Sequence, residues 1–179
     1  PEEVKFNIFK RINTGGLPLS AQEIRNALNG KRVREFILKL VQSESFKLAT
    51  TNSIRDKRMA DRECVTRFLA FMIQNPSEYN RKDFDAFLNL VMSNLDNSAA
   101  TSDNELRKLE KQFHAAMDRA RLLFGRYAFR KFYGPQYRLM PINKAIFESW
   151  SVNLARLSQE QADSLIAQKP QVFDKFAEL

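Results

Sequence analysis

Two stretches of this sequence place residue types at spacings that could do chemistry. The first is Arg11-Ile12-Asn13-Thr14-Gly15-Gly16, followed by Leu19-Ser20 at the start of a helix. Two adjacent glycines let a backbone approach a phosphate closely. Successive N–H groups in such a turn form an anion nest, and the helix opened by Ser20 adds the positive end of its dipole. Lys10 and Arg11 supply charge. Arg11, Asn13, Thr14, Gly15, Gly16 and Ser20 are therefore the candidate phosphate ligands. The same residues also make a helix-turn-helix corner closed by a glycine cap, a commoner use of the pattern.

The second stretch interleaves bases and aromatic rings from Arg126 to Arg138, in the order Arg126-Tyr127-Ala128-Phe129-Arg130-Lys131-Phe132-Tyr133-Gly134-Pro135-Gln136-Tyr137-Arg138. Rings stack on unpaired bases while cations hold the phosphates between them. Arg126, Tyr127, Arg130, Lys131 and Arg138 are the candidate nucleic-acid contacts. The alternative is that Phe129 and Phe132 belong to the core and the arginines form a solvated rim.

Charge supports an anionic partner. The chain has 179 residues, with 29 Lys and Arg against 21 Asp and Glu, a formal charge of +8. A basic balance favours polyanions, nucleic acid above all. The excess is concentrated. Arg119, Arg121, Arg126, Arg130, Lys131, Arg138 and Lys144 stand between Arg119 and Phe147 with no acidic residue among them. Between Val4 and Arg34, Lys5, Lys10, Arg11, Arg25, Lys31, Arg32 and Arg34 face Glu23 alone.

Other chemistries are excluded or unsupported. A single cysteine, Cys64, and a single histidine, His114, rule out an intrachain disulfide, a multi-thiolate zinc site and an HNH-type nuclease within these residues. No metal site is expected. No Gly-x-x-x-x-Gly-Lys-Ser/Thr and no Gly-x-Gly-x-x-Gly is present. Cys64 shares an apolar stripe with Val65 and Phe68 and reads as a core thiol; His114, beside Phe113 and Met117, reads as half-exposed and structural. Glu63 and Arg67 are spaced to pair along a helix, and no two carboxylates form an obvious acid–base couple. No apolar run approaches the ~20 residues of a membrane span. No secretory leader is visible after Pro1, which makes the cytoplasm the expected location, and the abrupt start suggests a fragment.

The elements that must position these residues are helical. Val4, Ile8, Phe9 and Ile12 share one face; Ser20 and Glu23 form a capping box; Val33, Phe36, Ile37, Leu40 and Val41 mark the next helix. Ser43 to Arg58 lacks a period and reads as a long loop. Helical stripes return around Cys64–Met72, from about Arg81 to Leu95, from Asp103 to Phe124 and from Pro141 to Leu154, and Ser158 opens another helix. A short closing helix or tail ends the chain. With no sustained alternation, the expected fold is all-α, a compact body of about seven to nine helices with little or no sheet.

The segment Phe9-Lys10-Arg11-Ile12-Asn13-Thr14-Gly15-Gly16-Leu17-Pro18-Leu19-Ser20 resembles the Phe-x-x-Ile-Asn-Thr-x-Gly-x-x-Leu-Ser motif of the GmrSD-type restriction endonuclease N-terminal domain family. Softer similarity follows in Gln22–Leu28, in Arg58–Glu63 with Val65–Phe71, in Phe124-Gly125 with Ala128-Phe129-Arg130, and in Ile142–Glu148. The family has a ParB-like, sulfiredoxin-like core implicated in NTP binding and hydrolysis, works in prokaryotic defence, and in some members carries a separate HNH nuclease domain. Its leading Asp-Gly-Gln-Gln-Arg motif is absent here, so the resemblance places this chain downstream of the catalytic core. It implies that residues 1–30 are the end of the ParB-like core and residues 31–179 a helical domain. It casts Asn13, Gly15 and Gly16 as framing a phosphate pocket, with Phe9 packed behind.

On that resemblance the chain contributes to nucleotide or DNA binding in a restriction or antiviral protein and is not a complete enzyme. Cofactors are none in this piece, with NTP and Mg belonging to a full-length protein. The implied partners are the upstream ParB-like core, DNA, an HNH nuclease domain or subunit, and a second copy of the chain. The alternatives from other classes are a stand-alone basic nucleic-acid-binding module and a structural or assembly domain.

Overall fold

Short polar side chains decide where several of these helices begin. Ser20, Ser43, Asp83, Asn143 and Ser158 each accept a hydrogen bond from a backbone N–H of the following first turn. Such caps satisfy donors that the helix itself leaves unpaired. Ser20 with Glu23 and Ser158 with Gln161 form complete capping boxes. The computed structural model describes residues 2–12, 18–54, 57–74, 83–136 and 138–178. Among them are ten α-helices: α1 (Glu2–Ile12), α2 (Ala21–Leu28), α3 (Lys31–Gln42), α4 (Glu44–Ala49), α5 (Ala60–Ile73), α6 (Phe84–Asp96), α7 (Asp103–Phe124), α8 (Lys144–Arg156), α9 (Gln159–Ala167) and α10 (Lys169–Ala177). No strand occurs among the described residues; one isolated antiparallel bridge joins Arg130 to Ile142. The fold is all-α.

Two elements differ from the sequence-based expectation. Helix α4 lies inside the span expected to be a loop. Six residues cover less than two turns, too few for a period to register, and the Ser43 cap with buried Phe46 and Ala49 carries the helix instead. Helix α8 starts at Lys144 rather than Pro141, because Asn143 accepts from Ala145 N (3.0 Å) and Ile146 N (3.1 Å).

The chain packs as two units, residues 1–41 with 55–109 and residues 42–54 with 110–179. In the first, α1 and α2 pack with α5 and α6, so residues 1–30 share one unit with helices that follow them. Its core includes Ile24, Val33, Leu40, Phe68, Leu88 and Met92, and the Cys64 thiol is buried among them as expected. A polar chain also crosses this core. Gln22 Nε2 donates to Thr66 Oγ1 (3.1 Å), Arg25 Nε donates to Gln22 Oε1 (3.0 Å), and Arg25 Nη1 donates to Asp85 Oδ1 (2.9 Å).

The second unit is built on aromatic contacts. Phe129 and Phe147 lie 4.5 Å apart by ring centres, and Phe46 packs on Phe113 and Phe147. Gly125 ends α7 in the left-handed region (φ 55°), where a residue without a Cβ is favoured. Phe124, Tyr127, Phe132, Trp150, Phe173 and Phe176 form a second ring cluster.

Candidate anion-binding groove

The start of α3 sets up an unusual electrostatic demand. Lys31, Arg32 and Arg34 crowd its first turn, which contains no acid. Cations at a helix N-terminus oppose the macrodipole. The compensating charge comes from the end of α6: Asp96 accepts from Gly30 N (2.9 Å) and Val33 N (3.1 Å). A side chain at this approach would displace the carboxylate. A Cβ on residue 30 would overlap Asp96 Oδ2 and lie 2.8 Å from its Cγ and Oδ1. Arg32 turns back to donate to the carbonyls of Leu95 and Thr101 and to Asp103 (2.8 Å).

Lys31 and Arg34 remain directed to solvent, and they line a groove of about 330 Å³ together with Asn26, Glu35, Leu38 and Arg62. Among the described lining residues three are cations and one is a carboxylate, and the Lys31–Glu35 pair is a long, exposed contact of 3.6 Å. Exposed pairs of that kind are weak. Arg34 donates to the carbonyl of Gly30 (3.1 Å), which holds its stem over the α3 start. The arrangement is net positive, concave and next to the positive end of a helix, so an oxyanion is the ligand it accommodates.

The sequence-predicted phosphate site looks different. Asn13, Thr14, Gly15 and Gly16 lie outside the described residues. Arg11 is exposed near the end of α1. Ser20 is committed within the chain: its Oγ accepts from Glu23 N (3.2 Å) and donates to the carbonyl of Arg58 (3.1 Å), while its N–H donates to Glu23 Oε2 (2.6 Å). That N–H holds the Glu23 carboxyl below its ordinary pKa. Arg58, in the left-handed region with its neighbour Met59, donates to the carbonyl of Pro18 and lies 3.6 Å from Glu23. The anion at the start of α2 is therefore the chain's own carboxylate. The expectation that Ser20 offers its donors to a phosphate is corrected accordingly.

The Arg126–Arg138 stretch divides in a similar way. Arg130 is 2% exposed, and all three guanidinium nitrogens donate within the chain. Their acceptors are the carbonyls of Arg126, Met140 and Thr50 and the hydroxyls of Thr51 and Ser53. Arg130 is a structural residue that ties residues 50–53 to the end of the stretch, and the expectation that it grips a phosphate is corrected. Tyr127 is half-buried and packs edge-on against Phe132 (4.7 Å) and Phe173 (5.8 Å), with the Arg126 guanidinium over its outer face at 5.0 Å. Lys131 and Arg138 are exposed, as is the ring of Tyr133. Arg119 caps the end of α8, donating to the carbonyls of Leu154 (2.7 Å) and Leu157 (3.0 Å).

His114 makes a contact that sequence reasoning missed. Its Nδ1 lies 2.7 Å from Ser45 Oγ, and its Nε2 lies 3.7 Å from Glu110 Oε1. The second distance is too long for the orienting hydrogen bond of an activated serine. No group of three or more His, Cys, Asp or Glu side chains suited to a metal ion occurs among the described residues. No helix among them is long and apolar enough to cross a membrane.

Sequence reasoning counted Lys31 and Arg34 among a basic run but did not place them in a site, and it passed over Asn26 and Arg62. The missed signal was a first helical turn holding three bases and no acid. Comparison with known proteins gives no match, whether to a family model, a curated protein or a solved structure.

Proposed function

We propose that this chain is the helical part of a GmrSD-like, ParB-related defence protein and that it binds nucleic acid through its backbone phosphates. One observation carries the proposal: among the described residues, Lys31 and Arg34 stand exposed on one concave groove at the basic start of α3, which Arg62 and Glu35 also line. Phosphate contacts by Lys and Arg dominate nucleic-acid affinity, and the exposed Lys31 and Arg34 lead this groove. The piece binds and positions; NTP chemistry, on this proposal, belongs to the ParB-like core, and the HNH nuclease to a separate domain or subunit. A second surface, with exposed Lys131, Tyr133 and Arg138, supports the alternative of a stand-alone basic module that stacks bases.

The test is binding of fluorescent double- and single-stranded DNA over a salt series. The parent chain should bind with a steep salt slope. Replacing Lys31, Arg34 and Arg62 with Ala together should flatten that slope by about 2 to 3. An unchanged slope in the triple variant, with loss on Lys131→Ala and Arg138→Ala, would move the site to the second surface. No DNA binding in the parent chain would leave a structural or assembly role.

A further inference from the structure

Among the described side chains of helix α1, one apolar residue is buried. Of its described side chains, Phe6 is 3% exposed, whereas Val4, Ile8 and Phe9 are 49%, 49% and 47% exposed. The Phe6 ring lies against the Arg25 guanidinium, 5.9 Å from its centre to Cζ. It lines a cavity of about 10 Å³ with Arg25, Leu28, Asn29, Asn89 and Ser93. That volume holds a single water at most. Asn89, on α6, is 8% exposed, yet neither its Nδ2 nor its Oδ1 has a hydrogen-bond partner within the protein. Folded proteins keep few such groups, and a leucine would fill the same space without leaving a donor and an acceptor unpaired.

We infer that this is a nucleobase pocket, plugged by Phe6 of the chain's own α1. A carboxamide offers one donor and one acceptor side by side, the pairing that meets the N6/N7 edge of adenine. The Arg25 guanidinium is a flat cation fixed by Gln22 (3.0 Å) and Asp85 (2.9 Å), and bases stack on such planes. Phe6 occupies the stacking position as a ring without hydrogen-bonding groups, so no protein group there meets the Asn89 amide. Release of α1 removes one buried ring and admits another that satisfies the amide. The pocket takes the base, whereas the groove at α3 takes phosphate, so this inference rests on the nucleic-acid function proposed above and names the part of the ligand read here.

The experiment uses neutral adenosine, which carries no phosphate for the groove, and follows binding by the backbone amide shifts of α2 and α6 in every variant, with the Asn89 side-chain amide as a further probe where it is present and thymidine as control. Phe6→Ala should tighten adenosine binding about tenfold or more, because the plug no longer competes. Phe6→Leu, which keeps an apolar anchor of smaller size, should tighten it in the same direction even if the alanine variant folds poorly. Asn89→Leu should abolish binding in either background. In the parent chain, adenosine should speed hydrogen exchange of the α1 amides. Binding that ignores both Phe6 variants, survives Asn89→Leu, or leaves α1 exchange unchanged overturns the pocket. The two proposals fail separately: DNA binding without adenosine binding removes only the pocket, and adenosine binding without DNA binding removes the phosphate-groove function.

Discussion

Replacing Gly30 with Ala tests how the basic turn of α3 is held. The added Cβ would lie 2.8 Å from Asp96 Cγ and Oδ1 and closer still to Oδ2, so the carboxylate must swing away from both N–H groups that it caps. Losing an N-cap costs about 1 to 2 kcal/mol. Removing the anion from a turn of uncompensated cations adds about 0.3 to 1 kcal/mol through the helix dipole. Alanine recovers about 0.4 to 1 kcal/mol by restricting the unfolded chain, since Gly30 has no positive φ to protect. The net destabilisation is about 1 to 2 kcal/mol. Urea denaturation reads it, and a double-mutant cycle with Asp96→Ala gives the sharper result. In the Asp96→Ala background the space is open and no cap remains to break, so Gly30→Ala should become neutral or stabilising by about 0.5 kcal/mol. Equal destabilisation in both backgrounds would refute the clash as the cause. A stabilised single variant would show that Asp96 keeps its caps by another rotamer.

Three more outcomes follow from the same kind of accounting. Arg130→Met should lower stability by about 3 kcal/mol or more in denaturant titration, because several carbonyls lose their donor at once, while Lys131→Ala should stay within about 0.5 kcal/mol. The Ser20 N–H holds the Glu23 carboxyl below its ordinary value of 4.5, so that bond stabilises the fold above this pH and is lost as pH falls through the lowered value; Glu23→Gln should be less stable at neutral pH and flatter between pH 4.5 and more acidic conditions. On the GmrSD-like function proposed above, Asn13→Ala should weaken nucleotide binding to a longer protein that includes a ParB-like core, measured by calorimetry with labelled NTPs; unchanged affinity would count against that role for Asn13.

Helix was legible wherever apolar period and cap chemistry agreed, as in α2 with its Ser20–Glu23 box and α9 with its Ser158–Gln161 box. It was illegible at α4, whose order comes from burying Phe46 and Ala49 and not from periodicity. The stripe read in α1, Val4, Ile8, Phe9 and Ile12, left out the side chain that is covered: Phe6 is buried while Val4, Ile8 and Phe9 are exposed. A period states that side chains share a face and says nothing about whether another element lies on it.

The candidate site was legible as charge and not as contact. A count treats every arginine alike, but acceptors sort them. Arg25, bonded to Gln22 and Asp85, and Arg32, bonded to Asp103 and two carbonyls, are partly or fully neutralised by acids. Arg119 and Arg130 are bound by carbonyl and other neutral oxygens. Those oxygens satisfy the donors without cancelling the charge. Such residues cannot touch a phosphate, yet they still contribute to the long-range field that draws one in, which decays over about 10 Å at 0.1 M salt. The basic run from Arg119 to Phe147 therefore acts in two ways that sequence alone cannot separate. Replacing Lys31 or Arg34 should raise dissociation and lower association, whereas Arg119→Gln should slow association alone in stopped-flow binding at low salt. An Arg119→Gln variant with an altered dissociation rate would mean that the residue leaves its carbonyls to meet the ligand directly.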